Sequence, residues 1–175
     1  MRYKTYSDAK DDIWPKRPLQ SPDDYKEAKP PVIEGTKPGQ MITFSGPSGT
    51  GKTNAVWGLV NKYAESSKPY TLFINESWLM SYIWDNFALD AILFWPEILI
   101  IDDIGYRCHA DQMPHEWLQH CAYSIANHRS SYRLTTIWTT NLSMDRMRNA
   151  YGQMVSSRVF GGRVITVGGK DRRLK

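Results

Sequence analysis

Apolar and polar positions along this chain switch between two periods from Gln40 to Val167. Short runs rich in β-branched and aromatic residues read as strands: Gln40 to Ser45 (QMITFS), Tyr70 to Asn75 (YTLFIN), Ile98 to Asp102 (ILIID), Leu134 to Thr140 (LTTIWTT) and Arg163 to Val167 (RVITV). Between them, apolar residues recur at helical spacing. Val56, Trp57, Val60, Tyr63 and Ala64 form one stripe, and Trp78, Leu79, Tyr82, Ile83 and Phe87 form a second. Trp117, Leu118, Cys121, Ala122 and Ile125 lie within Pro114 to Arg129, with Asp111 and Pro114 as start signals, and a mostly polar helical stretch runs from Ser143 to Phe160. Five strands alternating with helices predict an α/β fold with a parallel sheet covered on both faces.

The first strand leads into Gly46-Pro47-Ser48-Gly49-Thr50-Gly51-Lys52-Thr53, a complete G-x-x-x-x-G-K-[ST] phosphate-binding loop, and the first helical stripe follows it. That order is what the chemistry requires, because backbone N–H groups and a helix N-terminus must converge on an anion. Glycines at 46, 49 and 51 let the backbone approach phosphates without a Cβ in the way. Lys52 can reach the β- and γ-phosphates, and the Thr53 hydroxyl can ligate Mg²⁺. The chain is expected to bind ATP with Mg²⁺.

A phosphate loop alone hydrolyses nothing. The metal needs an acidic anchor, the attacking water needs orienting, and the developing charge needs a cation. Ile98 to Asp103 (ILIIDD) delivers two carboxylates at the C-terminal end of an apolar strand, where open α/β sheets bind ligands. Asp102 is expected to hold Mg²⁺ and Asp103 to polarise the water; the plain alternative is an acid pair capping a strand before the Ile104-Gly105 turn. Asp103 is one methylene shorter than the glutamate many such ATPases carry, which points to slow or partner-dependent catalysis. Asn141, after the fourth strand, either contacts the water or γ-phosphate or starts a turn before the helix near Ser143. Arg158 is either a surface ion-pair partner or an arginine finger.

The 175 residues suit one domain with a sizeable core. Residues 1–39 are rich in Pro, Lys and Asp, with Trp14, Tyr25, Val32 and Ile33 as their few apolar anchors, and read as an extended arm; residues 40–175 form the ATPase domain. A net charge of +4 and a pI near 9.0 suit a polyanionic partner. Cys108 and Cys121 are the two cysteines, which excludes a disulfide framework and fits a reducing compartment. The first residues lack the apolar core of a signal peptide, and the most apolar stretch, Ala91 to Ile101, is interrupted by Pro96-Glu97. A cytoplasmic protein with no membrane partner is expected. The Cys-His pairs at 108–109 and 120–121, with His115 and His128, lack zinc-ligand spacing. Trp14 is a partner anchor or an internal latch, and the tail residues Lys170, Arg172, Arg173 and Lys175 either touch a phosphate backbone or are merely solvated.

Gly46 to Thr53, Leu99-Ile-Ile-Asp-Asp-Ile-Gly105, Asn127-His-Arg129, Thr139-Thr-Asn-Leu142, Ser157-Arg158 and Gly169-Lys-Asp-Arg-Arg173 follow one another along the chain. In that order they resemble the AAA+ ATPases of the DnaC/DnaI helicase loaders and the IstB transposition helpers, over residues 40–173. The resemblance implies a P-loop AAA+ core with strand order 5-1-4-3-2 and Asn141 as first sensor. It implies that Arg158 reaches into a neighbouring subunit's nucleotide, with Arg172 or Arg173 as second sensor in cis. It further implies an ATP-controlled homo-oligomer that grips DNA, single-stranded in preference, and remodels a replicative helicase or a transposase. Two departures stand out. A short arm replaces the separate N-terminal helicase-gripping domain usual in loaders, which favours a phage-encoded loader, and the chain ends without room for a C-terminal helical lid.

Helicase loading is therefore the leading expectation, with an IstB-like transposition helper next. A nucleotide-gated adaptor with little hydrolysis and a P-loop small-molecule kinase follow. A GTPase is disfavoured because Asn61-Lys62-Tyr63-Ala64 lacks the acid of a guanine reader.

Overall fold

A computed structural model describes residues 39–66, 71–77, 79, 93–106, 108 and 113–171. The arm, with Trp14, Tyr25, Val32 and Ile33, lies outside the described residues. So do Trp78, Tyr82, Ile83 and Phe87 of the second stripe, the start signal Asp111, and Arg172 and Arg173.

Five strands form, as the apolar runs predict: β1 (Met41–Ser45), β2 (Thr71–Asn75), β3 (Ile98–Ile104), β4 (Thr135–Thr140) and β5 (Arg163–Thr166). Among the described residues they are joined by helices that include α1 (Lys52–Ser66), α2 (Glu116–Ser131), α3 (Met144–Tyr151) and α4 (Gln153–Gly161). All pairings are parallel and the order is β2-β3-β4-β1-β5, the 5-1-4-3-2 arrangement of an AAA+ core.

Alternation along each strand divides the core between two layers. Ile42, Phe44, Ile98, Ile100 and Ile137 pack with Val56, Trp57, Leu59 and Val60 of α1. Their neighbours Met41, Leu99, Ile101 and Trp138 face the other way, toward Leu118, Cys121 and Ile125 of α2, Met147 of α3, and Val155 and Val159 of α4. Near-continuous apolar strands are what burial on both faces demands. The first helical stripe holds at Val56, Trp57 and Val60, while the side chains of Tyr63 and Ala64 lie outside the described set.

Several boundaries differ from the sequence pattern, among them β3, which runs on two residues past Asp102 to Ile104. The polar stretch from Ser143 to Phe160 is two helices rather than one, because Gly152 takes φ +86, a conformation that ends α3 and opens α4. Ser143 caps α3 by accepting the Arg146 N–H. Helix α2 starts at Glu116, its cap being His115, whose ring nitrogen accepts the Trp117 N–H.

Arg129 of α2 fixes the base of the sheet. Its guanidinium is fully buried and donates to the Leu93, Pro96 and Thr135 carbonyls and to the Thr136 hydroxyl at 2.8–3.0 Å. Burial lowers its pKa to about 10, still well above neutrality. The segment entering β3 is thereby tied to the start of β4.

Candidate nucleotide site

The C-terminal ends of β1, β3 and β4 lie side by side, with β4 in the middle. Ser45 is level with Thr140, and the Gly46 N–H donates to the Thr140 carbonyl at 3.2 Å. The phosphate loop therefore leaves the sheet beside the end of β4, and α1 begins at its last residues. A Cβ on Gly46 would lie 2.1 Å from the Val167 carbonyl oxygen, so only glycine lets the chain leaving β1 pass the end of β5. Thr50 Oγ1 donates to the Pro47 carbonyl at 2.9 Å and holds the loop's curl.

Lys52 is almost fully buried, and its Nζ donates to the Gly46 and Pro47 carbonyls, each at 2.9 Å. A buried ammonium among loop carbonyls is what a phosphate group would meet. Thr53 Oγ1 lies 3.2 and 3.3 Å from the two carboxylate oxygens of Asp102. The phosphate loop and the acid strand, 49 residues apart in sequence, thus meet through a hydroxyl and a carboxylate. These hard oxygen donors fit Mg²⁺, which takes one or two protein oxygens and completes its shell with phosphate and water.

Asp102 shares the face of β3 that carries Ile98 and Ile100, the face α1 covers. Its pKa is raised by burial and by neighbouring Asp103, against the lowering effect of hydrogen bonds from Thr139 and Thr53 and of the Lys52 charge. Pairing slips at this point: Ile101 is level with Trp138 but Ile104 with Thr140, three steps on β3 against two on β4. On the β4 side this bulge takes Asp102 and Asp103 out of the regular ladder, while Asp102 stays level with Asn75 of β2, and Asp103 adopts φ +53. Thr139 fills the gap. Its hydroxyl donates to Asp102 Oδ1 at 2.7 Å and accepts the Asp103 N–H at 2.8 Å.

The turn after the acid pair is held from below. Glu76, buried just past β2, accepts from the Gly105 N–H, from the Tyr106 N–H at 3.1 Å and from the Tyr151 hydroxyl at 3.0 Å. Thr140 ties the neighbouring strand end, donating to the Ile104 carbonyl at 2.7 Å and accepting the Leu142 N–H at 3.0 Å. Asn141 sits between these anchors with an exposed side chain, at the same edge as the loop and the acid pair.

Arg158 stands apart. It lies on α4, in the layer opposite α1, and donates to Asn127 Oδ1 of α2 at 2.7 Å and to the Met154 carbonyl at 3.2 Å. None of its hydrogen bonds goes to the phosphate loop of its own chain.

Three further residues contribute, of which Thr139 and Asp171 lie inside motifs that give them no role of their own. Thr139 and Glu76 act across strands, and Asp171 lies against the phosphate loop, where a methyl group on Gly49 would sit 1.8 Å from its Oδ1. Parity could have flagged Thr139, since it alternates with Ile137 as Asp102 does with Ile100. No local pattern marks Glu76, and the Gly169 to Arg173 motif does not tell that Asp171 meets the phosphate loop.

No protein-family model matches the chain, and no curated protein matches its sequence. Solved structures match its fold. The DnaC helicase loader superposes with a TM-score of 0.68 at 17% identity, over 84% of this chain and all of that one. DnaI superposes at 0.63 and 20% identity, over 79% of this chain and 77% of that one. The replication initiator DnaA bound to AMPPCP and single-stranded DNA gives 0.61 at 16% identity, over 75% of this chain and 41% of that one. The fold is that of a P-loop AAA+ domain, similar to those of DnaC and DnaI. Among the described residues, no helix is long and apolar enough to cross a membrane.

Proposed function

We propose that this chain is an ATP-hydrolysing helicase loader that assembles through ATP and acts on DNA. The observation that carries the ATPase reading is the meeting of Thr53 with Asp102 beside the buried Lys52. A complete phosphate loop and an acid strand are brought to one edge of an AAA+ sheet. The fold likeness to DnaC and DnaI, the motif order from Gly46 to Arg173 and the basic charge support the loader assignment.

In this reading the loop amides of Gly46 to Thr53 and Lys52 bind the triphosphate, and Lys52 exchanges its two carbonyl partners for phosphate oxygens. Thr53 and Asp102 would hold Mg²⁺, which would supply positive charge to offset that of the phosphates. Asp103 polarises the attacking water, and Asn141 orients it or senses the γ-phosphate. Arg158 of a neighbouring copy would meet the developing negative charge, so ATP would join copies and its hydrolysis would loosen them. Arg172 or Arg173 would sense the nucleotide in cis. The partners would be DNA, single-stranded in preference, and a replicative helicase.

The test is ATP turnover with and without single-stranded DNA, run beside a sizing column with a slowly hydrolysed ATP analogue. Turnover, analogue-dependent assembly and deposition of a replicative helicase on single-stranded DNA are expected. Phosphorylation of a small acceptor without DNA would replace this reading with a kinase.

A further inference from the structure

We propose that Thr139 is a positioning residue of the hydrolytic step, setting where Asp102 and Asp103 stand relative to the phosphate loop; this rests on reading the same site as an ATPase. The slip between β3 and β4 leaves two residues of the acid strand opposite one residue of β4, and that residue is Thr139. A regular ladder would pair the Asp103 N–H with a carbonyl on β4. Here the Thr139 hydroxyl takes the N–H instead, at 2.8 Å.

One hydroxyl has one proton to give. Thr139 gives it to Asp102 Oδ1 at 2.7 Å, the shortest of the hydrogen bonds this carboxylate accepts from Thr139 and Thr53. The same oxygen thus sets the rotation of the metal-side carboxylate and the backbone of the residue that polarises water. Asp103 needs that support, because a side-chain-bearing residue at φ +53 is disfavoured unless its surroundings hold it. Thr139 itself is fully buried, so water cannot substitute for its hydroxyl without a rearrangement. Thr53 cannot replace it either, since it belongs to the loop that the carboxylate must be placed against.

Valine has the shape of threonine but neither the proton nor the lone pair, whereas serine keeps both. In Thr139→Val, kcat for ATP should fall roughly 10- to 100-fold, as displaced reacting groups produce, with affinity for a fluorescent ATP analogue within about twofold of wild type. Thr139→Ser should recover most of the rate. In the nucleotide-free protein, hydrogen exchange at the Asp103 amide should quicken in the valine variant and not in the serine variant, a readout independent of turnover. An unchanged kcat in Thr139→Val overturns the positioning role alone. So does a serine variant as impaired as the valine one, because the methyl packing would then be what matters. A wild-type chain that hydrolyses no ATP, with or without DNA, overturns the ATPase reading and this role with it.

Discussion

Arg158 on α4 donates through Nη2 to the side-chain oxygen of Asn127 on α2, 2.7 Å away, and Nη1 bonds the Met154 carbonyl one turn earlier. The two helices belong to the layer on the far side of the sheet from α1. The guanidinium is held to its own chain by these two hydrogen bonds.

Arg158→Ala should leave ATP binding within about twofold while removing turnover and ATP-induced assembly. Mixtures with Asp103→Asn subunits should regain activity, since each variant supplies what the other lacks. Asn127→Ala should lower turnover less, because Met154 still holds one arm of the guanidinium. Steady-state kinetics of the mixtures checks this, and no recovery at any ratio would rule out a finger acting between copies.

Lys52→Ala should weaken ATP binding by roughly 10- to 100-fold, the range expected for losing a charge-assisted contact. Lys52→Arg should not restore it, because the site holds a compact ammonium between the Gly46 and Pro47 carbonyls. Titration calorimetry with ATP and Mg²⁺ is the measurement, and wild-type affinity in either variant would contradict the assignment.

Asp102 carries the consequence of its burial in a pH dependence. Its folded pKa lies above the ordinary 3.8, with burial the largest cause, so across that interval the folded chain binds more protons than the unfolded one. The stability contribution of this carboxyl is fullest below 3.8 and falls as pH rises through the folded value. At neutral pH the ionised group therefore destabilises the nucleotide-free protein. Asp102→Asn should raise the thermal midpoint at neutral pH by a few degrees, narrow the gap at acidic pH and abolish metal-dependent turnover. Melting curves across acidic and neutral pH check the sign, and a lower midpoint for the variant at neutral pH would refute it.

Asp171 places a carboxylate against Gly49 of the phosphate loop, adding negative charge beside the loop that would bind a triphosphate. Asp171→Asn should tighten ATP binding about threefold to tenfold at low salt, with the gain shrinking as ionic strength rises. Equal affinities for variant and wild type at low salt would show that the carboxylate swings clear before the nucleotide arrives.

The nucleotide loop was readable because its eight positions are contiguous and its flanks carry their own periods. Strand, turn and helix all lie within Met41 to Ser66. Asp102 was readable for a related reason, since an acid that follows an apolar run places a carboxylate near the C-terminal end of a buried strand, although β3 itself runs on to Ile104. The helical stretch after Asn141 was less so. Gly152 divides it, and an isolated glycine within a helical pattern does not announce which φ it will take. The roles of Glu76 and Asp171 left no local trace, because their neighbours lie 29 and more residues away.

By itself, then, the order of residues determined the chemistry on offer: a phosphate cradle, a lysine, two acids and the alternation that makes a covered parallel sheet. Tertiary structure decided how these parts face one another. The one-residue slip between β3 and β4 turned Thr139 into the hinge pin of the acid pair, and the two-layer packing put Arg158 on α4, in the layer opposite α1. The physical reason is that periodicity reports which face a side chain takes within one element. Register and layer are properties of pairs of elements, settled only when the hydrogen bonds of the whole sheet are satisfied together.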